Sequence, residues 1–357
     1  MKNKSFIYFA NIDITKSPGV FNKIENTVAV AEKIGFCSKK YIYSRSFKSR
    51  LKFLRYLTKC KSDFIFIRFD DLVLPVLFFI MIFLRIKGKK IIIDIPTPRR
   101  ICLKEIDSSN KKRSYKITRK LVSICLGSWL LIPANKVIQY ADESWWFNIG
   151  IRNKTIKMGN GILMNSKIPV VDSVWPADEL KLIGVAQLAS WHGYDRVINA
   201  LALAKGKHLP YKIIFTIVGD GSERDALESL VKRLGLEDNV LFTGMLTGED
   251  LNNAFKDKHV GVASLGLYRI GLYEASVLKA REYMARGLTV LGAGEDPDID
   301  IDSSYRVLVS NDESVESVLV FLSGFTDRVL PSHYDVRKFA EMNLSLEAKL
   351  SKIIDSV

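Results

Sequence analysis

Short runs rich in isoleucine and valine recur along the chain, and most are followed by a segment whose apolar residues repeat at helical spacing. Apolar runs that do not alternate with polar residues are typical of strands buried on both faces of a parallel sheet. In the first half, the predicted strands are Phe6–Phe9, Lys40–Tyr43, Phe64–Arg68, Lys90–Ile95 and Lys136–Tyr140. In the second half, they are Lys181–Gln187, Lys212–Val218, Val240–Thr243, Val260–Ser264, Thr289–Leu291 and Tyr305–Val309.

The segments between these strands predict helices. They are Lys23–Ile34, Leu72–Ile86, Ile117–Leu130, Tyr194–Ala204, Ser222–Leu234, Gly248–Phe255 and Ser276–Arg286. Two successive strand–helix series predict an α/β protein of two Rossmann-like, doubly wound domains facing a central cleft. We expect domains at residues 1–168 and 169–335, linked near residues 165–178, and a C-terminal crossover helix at 336–357 that packs back towards the first domain. Because open α/β sheets bind ligands at the carboxyl ends of their strands, the cleft is the expected active site.

Charge divides the chain into two unlike halves. Residues 1–170 contain 33 Lys and Arg against 11 Asp and Glu, whereas residues 171–357 contain 20 against 28. A basic half suits an anionic membrane, a phosphorylated substrate or nucleic acid. The basic clusters Arg45–Lys61 and Lys111–Lys120 lack a nucleic-acid module and the interleaved aromatics that stack on bases, so we expect no nucleic-acid partner.

The segment Leu72–Leu84 is a run of 13 uncharged residues followed by four basic ones. Spanning a bilayer takes about 20 apolar residues, so this run is too short. It is either a buried helix of an α/β domain or a helix whose exposed edge enters a membrane interface beside a basic rim. Near the N-terminus, Asn11 and Asp13 interrupt a short apolar run, which predicts a first strand instead of a signal peptide. The four cysteines lack CxxC spacing, which predicts reduced thiols and a cytoplasmic location.

Two glutamates, Glu274 and Glu282, flank the predicted start of a helix. Ser276 can cap this helix, and Gly287 can end it. The helix N-terminus would offer amide donors to a diphosphate, with Lys279 in the first turn as a point charge. Eight residues of helix cover about 12 Å, similar to the reach from a ribose across a diphosphate to a sugar. The alternative is an amphipathic helix whose charged side chains merely face water.

The segment Glu274–Gly287 resembles the E-x7-E region of GT-B glycosyltransferases, specifically the large retaining family often called family 4. In that family the first glutamate contacts the donor sugar and the second the ribose. Residues Gly184–Arg196 are similar to the family element V-G-R-L-x3-K-G-x-D, whose Arg and Lys hold the diphosphate. Here Gln187 and His192 stand at those two positions. The resemblance therefore implies that Lys279 neutralises the diphosphate, with Arg196, Arg269 and the helix N-terminus as further candidates.

Weaker matches lie elsewhere along the chain. The stretch from Gly219 to Gly244 follows the order and spacing of the family segments that flank the nucleotide. Residues 17–23 resemble the family's glycine loop, and Ile93–Pro98 resembles an E-x-P-T-x-P segment, with Asp94 for the Glu and Arg99 where an aromatic or small residue is usual. Met158–Ile162 resembles P-N-G-I-D. Loop architecture is the alternative for the last three matches.

The resemblance implies transfer of a sugar, hexosyl or related, from a nucleoside diphosphate sugar to a hydroxyl of a lipid-linked or other oligosaccharide acceptor, with retention, in capsule, O-antigen or other surface polysaccharide biosynthesis. It implies catalytic roles for Glu274, Lys279, His192 and Asp94. It implies donor contacts from Gly19, Gln187, Trp191, Arg196, Gly219, Asp220, Phe242, Thr243, Gly244, Arg269, Ser276, Val277, Leu278 and Glu282. No metal site and no cofactor are expected, and the base stays open.

The basic first half predicts a peripheral position on the inner face of the cytoplasmic membrane, through contact with its anionic surface. Two rival interpretations remain open. The chain is an epimerase-like or phosphorylase-like GT-B enzyme, or it is a non-catalytic protein that binds nucleotide sugars. Gln187 and Leu163, which depart from the family pattern, suggest the second.

Overall fold

A computed structural model describes residues 4–14, 18–108, 112–164, 168–174 and 178–357. They form two compact units, one comprising Met1–Gly159 with Leu346–Val357 and the other Asn160–Ser345. The change of unit at Gly159 precedes the predicted boundary at residue 168. Residues 165–167 and 175–177 of the predicted link lie outside the described residues.

The first unit contains a parallel sheet of six strands. They are β1 (Ser5–Asn11), β2 (Cys37–Tyr43), β3 (Phe64–Arg68), β4 (Lys90–Ile95), β5 (Lys136–Gln139) and β6 (Thr155–Lys157). Their order across the sheet is β2-β1-β3-β4-β5-β6. The helices that follow are α1 (Pro18–Lys33), α2 (Phe47–Thr58), α3 (Leu74–Ile86), α4 (Arg99–Ser108) and α5 (Arg113–Cys125). The sequence prediction missed α2, α4 and β6.

The helix α3 is apolar on two faces, which is why its sequence left two interpretations open. One face is buried against the sheet through residues such as Leu77, Met81 and Leu84. The other face exposes Phe79 and Ile86, whose exposed fractions are 71% and 81%. Within the described ranges, no helix combines the length and the apolar character that crossing a membrane requires.

The second unit contains another parallel sheet of six strands. They are β7 (Glu179–Val185), β8 (Lys212–Val218), β9 (Val240–Gly244), β10 (Val260–Val262), β11 (Thr289–Ala293) and β12 (Arg306–Val309). Their order is β12-β11-β10-β7-β8-β9. The helices are α6 (Tyr194–Lys205), α7 (Arg224–Leu234), α8 (Gly248–Phe255), α9 (Leu278–Ala285), α10 (Glu316–Ser323) and α11 (His333–Phe339). The prediction missed α10.

The C-terminal segment was predicted as one helix but is interrupted. A π-helical turn at Ala340–Leu344 follows α11, and Ser345 is extended with a ψ of 145°. The last helix, α12 (Leu346–Asp355), belongs to the first unit and packs on α1, where Lys33 Nζ lies 2.7 Å from a carboxylate oxygen of Glu347. The chain therefore returns to its first unit at its end.

In each sheet, the order in which successive strands are added reverses at the first strand, so that later strands lie on both sides of it. In the first unit β1 lies between β2 and β3, and in the second unit β7 lies between β10 and β8. Ligand sites of open α/β sheets form at such switch points, outside the carboxyl ends of the strands. The loops after β7, β8 and β10, together with β9 and α9, contain most of the residues that the sequence singled out.

Candidate functional site

The loop after β7 is fixed by backbone pairing with the loop after β10. The amide of Leu265 donates to the carbonyl of His192 at 2.9 Å, and the amide of Gly266 donates to that of Trp191 at 3.1 Å. Gly193 has a φ of +64°, and a Cβ there would lie 2.6 Å from the amide nitrogen of Gly266. Glycine is therefore required for the two loops to approach one another and for the left-handed turn that starts α6.

His192 is 8% exposed, and its Nδ1 accepts a hydrogen bond from the amide of Ala189 at 3.1 Å. Burial and the nearby charge of Lys279 lower the pKa of His192 to about 3. The ring is therefore neutral at physiological pH, and its proton lies on Nε2. His192 can donate one hydrogen bond but supplies no positive charge.

Lys279 lies in the first turn of α9 at the end of a hydrogen-bonded chain. Its Nζ contacts the hydroxyl of Tyr194 at 3.4 Å, Tyr194 is hydrogen-bonded to Tyr283, and the Tyr283 hydroxyl accepts the amide of Val185 at 2.7 Å. Loss of hydration lowers the pKa of Lys279 to about 7. In the part of the chain that the structure describes, no carboxylate lies within ion-pairing distance of Lys279. The first turn of α9 thus carries a cation without an anionic partner among the described residues.

Two glycines make room for this chain. A Cβ at Gly184 would lie 2.6 Å from the ring of Tyr194, and a Cβ at Gly261 would lie 2.3 Å from the ring of Tyr283. Both distances are far below ordinary van der Waals contact. The tyrosines therefore pack directly against the backbones of β7 and β10, which fixes the position of Lys279.

The backbone around Glu274 is extended and forms a short parallel bridge with Glu295, just after β11. The amide of Ala275 donates to the carbonyl of Glu295 at 2.9 Å, and the amide of Glu295 donates to that of Tyr273 at 2.7 Å. Glu274 is 5% exposed. The first glutamate of the pair is therefore held at the carboxyl edge of the sheet by backbone pairing, ahead of α9.

Ser276 does not cap α9, contrary to the prediction. The helix begins at Leu278, and its N-cap residue Val277 makes no side-chain capping bond. The Ser276 hydroxyl instead accepts the amide of Asn160 at 2.5 Å, and the Asn160 side chain donates to the Ser276 carbonyl at 3.1 Å. The Ser276 hydroxyl thus bonds to Asn160 and not to α9, and the amides at the start of α9 have no side-chain cap.

Glu282 lies one turn further along α9, with a side chain 32% exposed. Its Oε1 accepts hydrogen bonds from Arg286 at 2.9 and 3.2 Å, and Arg286 also donates to Asn252 at 2.9 Å. The neighbouring Arg281 is fully buried and forms ion pairs with Asp296 and with Asp298. Sequence reasoning missed this buried cluster, because its carboxylates lie beyond β11 and share no motif with α9.

Arg196 and Arg269 were predicted to contribute to neutralising the diphosphate, but their side chains form hydrogen bonds with other residues. Arg196 is 1% exposed and spends all its donors on Leu265, Ser310 and Ser314. Arg269 forms a bidentate pair with Asp195 at 2.7 and 2.8 Å and also donates to the Ser190 carbonyl at 2.8 Å. Both arginines brace loops, so neither is free to neutralise a diphosphate in this arrangement.

A glycine-rich turn follows β8. Gly219 has a φ of +126°, and its amide donates to the carbonyl of Gly244 at 2.7 Å, which joins the turn to the end of β9. Asp220 is exposed and accepts the amide of Gly221 at 2.7 Å. Phe242 packs against the core, whereas Thr243 is exposed and donates to the Gly244 carbonyl at 3.0 Å. Of these predicted nucleotide contacts, Asp220 and Thr243 are exposed and therefore accessible to a ligand.

The remaining predicted contacts in the second unit are exposed. They are Gln187, Trp191 and Leu278. Gln187 lies between β7 and the loop that ends at His192, and Leu278 begins α9. Their roles stay predictions. Among the described residues, no group of three or more His, Cys, Asp or Glu side chains could hold a metal ion.

Two predicted site residues belong to the first unit. Asp94 is 1% exposed, receives a hydrogen bond from the Tyr8 hydroxyl and lies 3.5 Å from Arg68 Nη1. Burial alone would raise the pKa of Asp94, but Lys23 and Arg68 outweigh it and hold the pKa below its usual value. The Asp94 carboxylate is thus enclosed and ionised, and its catalytic role stays a prediction. Gly19 lies in the first turn of α1 instead of in the predicted loop.

Part of the second unit matches a known family. Residues 170–295 match the family model described as Glycosyl transferases group 1. A segment of 72 residues is 36% identical to the lipopolysaccharide core biosynthesis glycosyltransferase LpsD of Rhizobium meliloti and covers 20% of this chain and 19% of that protein. A segment of 156 residues is 30% identical to an uncharacterized glycosyltransferase of Methanocaldococcus jannaschii and covers 44% of this chain and 35% of that protein. The matched segments thus span about a fifth and about a third of these relatives.

Solved structures resemble the whole chain. The lipopolysaccharide outer core galactosyltransferase WaaB in its apo form matches with a TM-score of 0.64 at 12% identity, over 100% of this chain and 99% of that one. Anabaena HepE in complex with UDP and glucose matches with a TM-score of 0.59 at 15% identity, over 99% and 100% of the two chains. At such identities the likeness establishes the fold, and the predicted α/β architecture of GT-B type is confirmed.

Proposed function

We propose that this chain, which contains a glycosyl transferases group 1 domain at residues 170–295 within a GT-B fold, transfers a sugar from a nucleoside diphosphate sugar to a hydroxyl of a saccharide acceptor. The donor binds in the second unit, at the carboxyl edge of its sheet. Glu274 and Glu282 contact the sugar and the ribose, and the diphosphate lies between them at the start of α9. Retention at the anomeric carbon is the stereochemical outcome that we propose from the resemblance of this segment.

The observation that carries the proposal is the isolated charge of Lys279. A partly buried ammonium without a carboxylate partner is costly to keep protonated, and its lowered pKa is the result. A bound diphosphate supplies the missing anion and restores the charge. Since the leaving diphosphate gains negative charge as the glycosidic bond breaks, a fixed cation at this point also favours the reaction.

Two neighbouring features complete the anion site. The amides at the start of α9 have no side-chain cap and carry the partial positive charge of a helix N-terminus. The neutral His192, whose ring lies 5.7 Å from that of Tyr194, offers one hydrogen-bond donor from Nε2. Lys279 and the N-terminus of α9 thus provide the charge neutralisation that Gln187 and the neutral His192 do not.

Support for the substrates comes from relatives. HepE was solved with UDP and glucose, which favours a UDP-sugar as the first donor to test. LpsD and WaaB are named for lipopolysaccharide core synthesis, so we propose a lipid-anchored or other surface saccharide as the acceptor. A capsular or O-antigen saccharide would be another acceptor of the same class.

An exposed surface on the first unit suits contact with a membrane that holds the acceptor. We name this surface the apolar face of α3. It consists of Val76, Phe79, Phe83 and Ile86 on α3. The helix α5 separately exposes Ile117, Leu121 and Ile124. Lys87 lies 4.2 Å from the ring of Phe83, and Lys116 and Lys120 follow along α5. Apolar side chains rimmed by lysines suit the cytoplasmic surface of an anionic bilayer.

The donor half of the proposal is tested by a thermal-shift screen of UDP-, GDP-, ADP- and dTDP-sugars. A ligand that binds only the folded state raises the melting temperature. We expect one class of sugar nucleotide to do so, and Lys279→Met to reduce the shift strongly while the exposed Lys232→Met retains it. No shift with any sugar nucleotide, or an unchanged shift in Lys279→Met, would contradict the proposal.

The membrane half is tested by sedimentation with vesicles. We expect binding to vesicles that contain anionic lipid, and loss of binding in Phe79→Glu, because a charge on the apolar face must be dehydrated at the interface. The exposed Phe47, on α2, provides the matched control as Phe47→Glu. Equal loss in both variants, or sedimentation with neutral vesicles alone, would refute docking through this face.

A further inference from the structure

A pocket of about 610 Å³ opens at the carboxyl edge of the first sheet. Its walls come from the ends of β1, β3 and β4, the starts of α2 and α4, and one face of α5. Five arginines and two aspartates line it: Arg45, Arg50, Arg68, Arg99, Arg119, Asp70 and Asp71. The charged lining thus carries three more positive charges than negative ones.

The two aspartates hold three of the arginines in place. Asp70 accepts Arg50 Nε at 2.8 Å, and Asp71 accepts Arg119 Nη2 at 2.8 Å. Arg99 Nη1 lies 3.6 Å from Asp71. The aspartates are 7% and 5% exposed, so these contacts are shielded from water. The guanidinium groups are therefore preorganised, each with donors left over.

Some of these donors have no acceptor, or only a distant one, among the described residues. Arg99 is 6% exposed, yet its Nε–H donates to no acceptor among the residues that the structure describes. Arg68 reaches Asp94 only at 3.5 Å, and no ion pair of Arg45 is found in the described ranges. A buried guanidinium nitrogen without a partner is costly, unless a ligand supplies the acceptor.

We propose that this pocket binds a phosphate group carried by the saccharide acceptor. Arginine forks match phosphate oxygens, and the excess of three positive charges suits a phosphate monoester or a diphosphate better than a single carboxylate. The volume exceeds what inorganic phosphate fills and lies in the range of pockets for drug-sized ligands. The aromatic rings of Phe69 and Tyr115 in the lining provide walls for an attached sugar.

The assignment of the phosphate to the acceptor rests on the proposed function. The group 1 domain lies in the second unit, so the donor is bound there, and the ligand of the first unit is the second substrate. The phosphate comes either from a phosphorylated sugar of the acceptor or from the diphosphate that joins a saccharide to a lipid. Both sources present the same chemistry to the arginines.

The test is calorimetric titration of the full chain, saturated with the nucleotide sugar that the donor screen identifies. The probes are glucose 6-phosphate, glucose, inorganic phosphate and a short-chain polyprenyl-diphosphate N-acetylglucosamine in detergent micelles. We expect a phosphate-bearing saccharide to bind and glucose not to bind. The double variant Arg45→Gln/Arg68→Gln should weaken that binding roughly tenfold or more, since charge-assisted hydrogen bonds are lost.

Three comparisons keep the result specific. Arg152→Gln removes an exposed arginine of the same unit outside the pocket and should bind like the wild type. Arg119→Lys keeps a cation for Asp71 but loses the fork, and should weaken binding while the melting temperature is retained. Preference for glucose 6-phosphate or for the lipid-linked probe identifies the source of the phosphate.

Two outcomes would overturn the proposal. In one, glucose binds as tightly as glucose 6-phosphate, or the double variant binds like the wild type. In the other, inorganic phosphate binds more tightly than every saccharide probe. If no nucleotide sugar binds the chain but a phosphate-bearing saccharide still depends on Arg45 and Arg68, the proposed transfer fails while the anion site stands.

Discussion

Replacing Lys279 with arginine should remove a pH dependence from the binding of the donor. In the free protein the pKa of Lys279 is lowered to about 7, because burial removes water from around the ammonium. A bound diphosphate favours the charged form and raises this pKa. Binding is therefore strongest below pH 7, where the ammonium is already protonated, and weakens as the pH rises through 7.

The size of the effect follows from the proton uptake. If the pKa in the complex is well above 9, the dissociation constant rises about 50-fold between pH 7 and pH 9, equivalent to about 2.3 kcal/mol. Arginine stays charged over this range, so Lys279→Arg should give a flat profile. Lys279→Met should also be flat, but with weaker binding at pH 6. His192, with a pKa of about 3, does not titrate in this window.

Calorimetry from pH 6 to pH 9 with a nucleotide sugar measures this dependence directly. A sugar nucleotide is preferable to the free nucleoside diphosphate, because a terminal phosphate has its own pKa near 6. Lys232→Met, on the exposed surface of α7, should keep the wild-type profile. If the binding of Lys279→Met still changes near pH 7, another group is responsible for the pH dependence and its assignment to Lys279 is wrong.

Two further predictions concern the frame of the site. Arg281→Met should lower the free energy of unfolding by about 3–5 kcal/mol, because buried Asp296 loses its cation, and a loss below 1 kcal/mol in urea denaturation would contradict this. Gly261→Ala should cost about 1–3 kcal/mol, since the new Cβ would lie 2.3 Å from the ring of Tyr283. The matched Gly206→Ala, whose Cβ would meet its nearest neighbour at 3.7 Å, should be close to neutral in the same assay.

The two parallel sheets could be predicted because strands that are buried on both faces have unbroken runs of apolar residues in the sequence. The strands Phe64–Arg68, Lys90–Ile95 and Lys212–Val218 agree residue for residue with the prediction. The helix Phe47–Thr58 was missed because its lysines and arginines form a basic run on the exposed side, whereas only Phe53, Leu54 and Leu57 are buried. The basic cluster in the sequence thus forms the exposed face of an amphipathic helix.

The candidate site was only partly predictable. Spacing along the chain placed Glu274, Lys279 and Glu282 around one helix start, because neighbours in a helix are neighbours in sequence. The contacts of Arg196 and of Tyr194 depend on residues more than 60 positions away. No local pattern reveals such partners, so an arginine that braces a loop could not be distinguished from one that binds phosphate.

The pocket of the first unit shows the same limit. The sequence marked Arg99 as a departure from the related segment, but it gave no indication that four more arginines meet it. They come from α2, α5, the end of β3 and the segment before α2. Only the order of the strands across the sheet brings these segments to one edge.

Transfer of a sugar from a donor bound in the second unit is best tested with a matched pair of glutamate variants. Glu282→Ala and Glu341→Ala each remove the carboxylate of an ion pair four residues apart on a helix, with Arg286 and Arg337 respectively. Transfer is measured from a labelled donor, identified by the screen, to saccharide acceptors extracted from membranes. We expect Glu282→Ala to lose transfer with an unchanged melting temperature, and Glu341→Ala to retain transfer. Undiminished transfer by Glu282→Ala, or equal loss in both variants, would contradict this expectation.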